Sequence, residues 1–384
     1  MQQIINRVLS LIIPVVLLFS CSTTKRTTQA ATATISRVKY IDTDEIPFDL
    51  KYRNTVVGGL SGIDYDAAND IYYLVSDDRS DKNPARFYAA KIKLGQYKID
   101  TVFFTDVKYM LQPNGETYPD KNRNRFKNPD PEAMRYNPLT HQLIWSSEGE
   151  RNIKAGDTVL VDPAINVVRT DGTYADSFTL PLNLKMHATE KGPRRNGVLE
   201  GMTFADNYKT LLVSVEEPLY EDGPRADTID NNAFIRICKF SVDSKKSLAQ
   251  YAYKLEPAAY APRPVNAFFV NGVPDILDLG NNTLLVIERS FSTGRLACTI
   301  KLFIADLAGA DDVSGLALKG NTSFIPATKK LLLNMDDLGM YTDNIEGVTF
   351  GPVLPNGHKS LVFIADNNFS PLEKAQVLLF EVIE

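Results

Sequence analysis

The chain has 384 residues, 44% of them hydrophobic and 23% charged, the balance of a soluble globular protein. Its net charge of −5 and dispersed lysines and arginines leave no basic footprint, so nucleic acid is not expected as a partner. Three scattered histidines (His141, His187 and His358) and no Cys-x-x-Cys pair argue against zinc. Without a Gly-x-Gly-x-x-Gly run or a phosphate loop, no nucleotide cofactor is expected.

At the N-terminus, Arg7 precedes an apolar run over residues 8–19 that ends in Ser20-Cys21. The run is short for a bilayer span and has the form of a signal peptide. Leu18-Phe-Ser-Cys21 resembles a bacterial lipobox, which implies that residues 1–20 are a lipoprotein signal peptide and that Cys21 carries the lipid. The expected location is therefore the cell envelope, anchored to a membrane through Cys21. No acidic cluster follows Cys21, so the periplasmic side of the outer membrane is favoured. Residues 21–36, rich in Ser, Thr, Gln, Ala and Lys, read as a flexible tether, and 37–384 as one domain.

That domain is a repeat. Gly59-Leu-Ser61-Gly-Ile, Asp130-Pro-Glu132-Ala-Met, Leu199-Glu200-Gly-Met, Pro274-Asp275-Ile and Asn344-Ile-Glu346-Gly-Val each open a hairpin. The spacings are 71 residues from Ser61 to Glu132, 68 to Glu200, 75 to Asp275 and 71 to Glu346. Alternating polarity, β-branched and aromatic residues and Asn/Asp/Gly turns predict strands throughout, with short helices only at 308–318 and 335–340. In the second repeat the third strand is expected at 157–162; in the fourth, the outer strand is not evident. Four-stranded units at this period predict an all-β fold, a β-propeller. Five blades are favoured. Six is the alternative, with the extra blade hidden in the connections 108–130 and 308–335. The last unit lacks its outer strand, and residues 33–41 are expected to complete it and close the ring. Cys238 and Cys298, in different repeats, read as buried free thiols, although a disulfide between them remains open.

The motifs Gly-Leu-Ser-Gly-Ile (59–63), Pro-Ala-Arg-Phe-Tyr (84–88), Asp-Pro-Glu-Ala-Met (130–134), Leu-Glu-Gly-Met (199–202), Glu-Glu-Pro-Leu-Tyr-Glu-Asp-Gly-Pro (216–224), Asn-Ile-Glu-Gly-Val (344–348) and Ala-Asp-Asn-Asn-Phe-Ser-Pro (365–371) occur in this order. Together they resemble the phytase-like domain family, whose label is "esterase-like activity of phytase", over roughly residues 55–384. The resemblance implies a small phosphorylated or ester substrate. It does not itself supply a catalytic set.

The residues point to one. Neighbouring hairpin strands are antiparallel, so the start of the first and the end of the second share an edge. This pairs Glu132 with Glu148, Glu200 with Glu216, Asp275 with Glu288, Glu346 with Asp366 and Ser61 with Asp77. Nine carboxylates around one channel mouth would repel one another, and a hard cation would offset them. Ca²⁺ is expected, held by a subset of Glu132, Glu148, Glu200, Glu216, Glu288, Glu346 and Asp366, with neutral oxygens from Asn367 and Asn368. Glu132, Glu200 and Glu346 are the candidate catalytic carboxylates, and Arg79, Arg86 and Arg289 the candidate substrate-binding cations. Gly59-Leu-Ser61-Gly lacks the last glycine of a nucleophile elbow, which disfavours a serine esterase. Two function classes follow: a metal-assisted ester or phosphoester hydrolase, acting as a monomer, or a non-catalytic binding propeller whose glutamates lock neighbouring blades.

Overall fold

A computed structural model of the chain describes residues 35–95 and 97–384. Cys21, the apolar leader and most of the tether lie outside the described residues. Among the described residues, no helix is long and apolar enough to cross a membrane.

Four consecutive strands form each of the first three blades. The first blade is Leu60–Asp66, Ile71–Ser76, Arg86–Leu94 and Ile99–Tyr109. The second is Pro131–Asn137, Gln142–Ser147, Ala164–Arg169 and Tyr174–Ser177, and the third Leu199–Ala205, Thr210–Val215, Phe234–Ser241 and Ser247–Lys254. The fourth blade has Ile276–Gly280, Thr283–Ser292, Thr299–Asp306 and Thr328–Asn334. In the fifth, Asn344–Phe350, Ser360–Asp366 and Ala375–Ile383 are followed not by a C-terminal strand but by Arg37–Ile46 from the other end of the chain. The first strand of every blade packs on the first strand of the next, and the fifth blade's on the first's. The ring therefore closes at five.

Closure follows the expectation, with the strand displaced toward the C-terminus of the segment 33–41. It runs antiparallel to Ala375–Ile383 from Arg37 opposite Ile383 to Ile46 opposite Ala375, with a bulge between Tyr40 and Asp42. Its Val38 and Ile46 are buried in two different core clusters, so the strand joins the seams on both sides of the last blade. Burying one such side chain is worth about 1.5–3 kcal/mol.

Three local expectations are corrected. In the second repeat, Val159–Val161 pairs with Glu150–Asn152 in a separate two-stranded flap, and the third blade strand is Ala164–Arg169. The stretch 308–318 is turns rather than helix, because Asp306, Asp312 and Asn321 side chains accept nearby backbone N–H groups and hold loop geometry. Of the two expected helices only the second forms, as the 3₁₀ turn Met335–Leu338, while Lys121–Asn124 is a one-turn α-helix and Leu182–Leu184 and Tyr220–Asp222 are further 3₁₀ turns. The connections 108–130 and 308–335 contain no sixth blade; the second supplies the outer strand Thr328–Asn334. Cys238 and Cys298 are buried free thiols.

Candidate functional site

One irregularity recurs at the head of the innermost strands. Antiparallel pairing skips Ser61 in the first blade, Glu132 and Ala133 in the second, Glu200 and Gly201 in the third and Glu346 in the fifth. Such a bulge breaks the two-residue alternation and re-aims one side chain. Here it turns Glu132, Glu200 and Glu346 into a cavity at the channel mouth. The residue that follows Ser61, Glu200 and Glu346 is glycine in each case, for a steric reason. A Cβ on Gly201 would lie 2.5 Å from Asp275 Cα of the next blade, and one on Gly62 would lie 2.9 Å from Met134 N.

The fourth blade departs from the pattern. Its first strand carries its irregularity at the other end, between Asp278 and Gly280, and Asp275 precedes Ile276 without a bulge. Asp275 therefore turns into the channel and meets Arg135, whose guanidinium donates to both carboxylate oxygens at 2.8 and 2.6 Å. The same guanidinium donates to Ile63 O at 2.5 Å and Val348 O at 3.2 Å, while Asp275 accepts from Ile276 N at 2.9 Å and Val348 N at 2.8 Å. Met202 N approaches the carboxylate at 3.3 Å. One buried ion pair thus touches the innermost strands of all five blades.

Above this lock the cavity, of about 870 Å³, is lined by nine acidic side chains and five arginines. Asp77, Asp130 and Glu132 bring carboxylate oxygens within 4.8 Å of one another, and so do Glu132, Glu148 and Glu200. Glu132 belongs to both groups. Burial first, then the charges of Asp77, Glu200, Asp130 and Glu148, push the Glu132 carboxyl well above the ordinary carboxylate range. Glu200 is raised in the same way by burial and by Glu148, Glu216 and Glu346, and Asp77 by burial and Asp130. Burial brings Asp130 up to about 8 despite Arg79, and Glu148 up to about 7 despite a hydrogen bond from Val198 N. Glu346 is pushed up to about 7, again by burial, with Arg289 holding it down.

Two arginines meet this charge from opposite sides. Arg79 pairs with Asp130 at 3.0 Å and Glu150 at 2.9 Å. Arg289 pairs with Glu216, donates to Asn344 Oδ1 at 2.7 Å and lies 3.7 Å from Glu346. The clustered carboxylates can bind a metal ion. Oxygens held 2.3–2.6 Å from Ca²⁺ lie within about 5 Å of each other, the spacing these two groups already have.

Four expected residues are placed elsewhere. Glu288 faces the seam between the third and fourth blades, where it accepts from Tyr253 OH, Glu256 N, Asn271 Nδ2 and Lys329 Nζ at 2.6–2.9 Å. Its neighbour Arg289 takes the cavity side, because alternation sends successive residues to opposite faces. Arg86 is fully buried against Asp78 at 2.7 Å and donates to Val56 O at 2.7 Å, so its guanidinium is spent inside the first blade. Asp366 is buried beneath the mouth, accepts from Asn368 N at 2.8 Å and is raised well above its usual range by burial and Glu346. Asn367 uses its side-chain oxygen on Gly59 N and Phe369 N, leaving Asn368 to line the cavity. The Ser61 hydroxyl donates to Glu132 O at 2.6 Å as an interblade bond.

Sequence reading did not single out Asp130, Glu217, Asp343 or Glu373, nor Arg195, Arg225 and Arg295, all at or beside the mouth. Asp130 had a signal: it stands two residues before Glu132 in an extended segment, hence on the same side. The others come from loops, and no period marks them.

A closed five-bladed propeller with an acidic, arginine-flanked central cavity is the class that fold and site define. The chain belongs to the phytase-like family, described as esterase-like activity of phytase, whose model matches residues 55–369. No match to a curated protein is found. Among solved structures, the chain is similar to an endo-arabinase from Bacteroides thetaiotaomicron, at 14% identity and a TM-score of 0.43 over 85% of this chain and 95% of that one. It is also similar to an α-L-arabinofuranosidase from Lactobacillus brevis, at 11% identity and 0.42 over 84% and 90%. A periplasmic gluconolactonase from Pseudomonas aeruginosa matches at 13% identity and 0.35 over 86% and 91%.

Proposed function

We propose that the protein is an envelope-anchored hydrolase of phosphoesters or other esters that works with Ca²⁺ at the mouth of the propeller channel. The observation that carries this reading is the pair of carboxylate groups sharing Glu132 on one side of a cavity flanked by Arg79 and Arg289. Asp77, Asp130, Glu132, Glu148 and Glu200 would hold the ion, their surplus negative charge being what its binding relieves. A bound Ca²⁺ would polarise the phosphoryl or carbonyl oxygen and a water beside it. Arg79 and Arg289, each already tied to carboxylates, would orient an anionic substrate oxygen through their outer N–H groups. Glu346, held at about 7, sits where a carboxylate exchanges protons at neutral pH. It would take the proton of the attacking water and return one to the leaving oxygen.

Turnover of 4-nitrophenyl phosphate and 4-nitrophenyl acetate should rise with Ca²⁺, and should fall at least tenfold in Glu132→Gln, Glu200→Gln and Glu346→Gln while all three stay folded. Turnover of neither ester, with binding of small ligands retained, would leave a non-catalytic binding propeller. Anchoring rests on the lipobox-like Leu18-Phe-Ser-Cys21. Cys21→Ser should move the protein from the membrane to the soluble fraction, and membrane retention would contradict it.

A further inference from the structure

The fourth blade carries a feature that the other four lack. Its second strand, Thr283–Ser292, has 10 residues where the corresponding strands have 6 or 7. The excess is paired by an additional strand, Phe269–Gly272, with Val270 opposite Phe291 and Gly272 opposite Arg289. Opposed residues share a face, and so do residues two apart. Phe268, Val270, Phe291 and Arg289 therefore form one face of the extension, and all four line the cavity. The reverse face carries Phe269, Asn271, Ser290 and Ser292 and is anchored by its serines: Ser290 Oγ accepts from Ala259 N at 2.9 Å, and Ser292 Oγ donates to Tyr260 O at 2.6 Å.

The result is a fixed apolar wall beside the acidic groups. The rings of Phe268 and Phe291 lie 6.2 Å apart. Phe268 is 56% exposed and Leu296, on the same rim, 78%. Arg289 stands at the foot of the wall. Arg295 stands at its top, stacked 3.6 Å over the Tyr260 ring, and among the described residues it has no carboxylate partner. A cavity built only for a small, highly charged polyol phosphate would not need exposed phenyl and leucyl groups on one side.

We infer that the substrate is amphipathic: an ester or phosphoester whose aryl or acyl group lies against Phe268, Phe291 and Leu296, with its polar head toward Arg289 and the carboxylate groups. The inference rests on the hydrolase reading for the position of the head, and the apolar wall adds the class of the other half.

Binding tests it without requiring turnover. Calorimetry on the mature chain with Ca²⁺ would compare methylphosphonate, butylphosphonate and benzylphosphonate. Benzylphosphonate should bind about tenfold more tightly than methylphosphonate, the scale of burying an aromatic ring. Phe268→Ala and Leu296→Ser, both at exposed positions, should each shrink that gap at least threefold and leave methylphosphonate affinity and melting temperature unchanged. Equal affinities across the series, no binding by any member, or a gap indifferent to both substitutions would overturn the inference. If the gap appears but neither 4-nitrophenyl ester is turned over, the hydrolase reading fails and the amphipathic ligand stands.

Discussion

Asp275 and Glu132 stand at corresponding places in two repeats, and both are buried, yet they do opposite work. Asp275 takes both its oxygens to one guanidinium nitrogen, Arg135 Nη2, and accepts backbone N–H groups from two blades, so its charge is answered within the fold. Burial still lifts its carboxyl to about 6, with Arg135 pulling down. Glu132 faces Asp77, Asp130, Glu148 and Glu200, every one of which pushes its proton affinity up. What separates them is a bulge in the pairing register: Glu132 and Ala133 together oppose the one residue Ser146, whereas Asp275 precedes regular pairing. Without the bulge Asp275 turns inward and locks the ring; with it, Glu132 joins a group of carboxylates whose charge Arg79 offsets only in part. A buried carboxylate is a site candidate by its missing partner, not by its burial.

The largest effect should come from breaking the lock. Asp275→Ala leaves the Arg135 guanidinium buried and unpaired among five blades, a loss of about 3–5 kcal/mol. Chemical denaturation should show it as a large drop in midpoint. A change below about 1 kcal/mol would mean that the pair does not join the blades.

The ring itself was legible in the sequence because its causes are periodic. Repeats of 68 to 75 residues, strand alternation and the missing outer strand of the last unit carry blade number and closure. Glu132, Glu200 and Glu346 were legible for the same reason. Asp275 and Glu288 misled because letter-for-letter alignment cannot register a bulge, and a one-residue slip sends a side chain to the other face. Arg86 misled because an arginine near a strand end reads alike whether its partner is a ligand or the buried Asp78. The apolar wall was hidden because Phe269–Gly272 is an insertion outside the repeat.

A smaller effect sharpens the same contrast through pH. A carboxyl with a folded-state pKa above its unfolded value holds its proton more tightly in the fold. Its stabilising contribution is full below the unfolded value and is lost as pH rises through the folded one. With Glu148 and Glu346 at about 7 and Asp130 at about 8, the chelated protein should lose melting temperature between about pH 5 and 8. Saturating Ca²⁺ should flatten that decline, since the ion stabilises the deprotonated groups it binds. A metal-free profile level across this range would mean that the mouth carries no excess charge.

Titration of Ca²⁺ into the chelator-stripped protein by calorimetry, beside Glu132→Gln, tests the central claim most directly. Glu132 belongs to both carboxylate groups, so its substitution should weaken binding at least tenfold, or about 1.4 kcal/mol, while the Arg135–Asp275 lock keeps the fold intact. Wild-type protein that shows no heat of Ca²⁺ binding, and whose melting is indifferent to chelator, would contradict it.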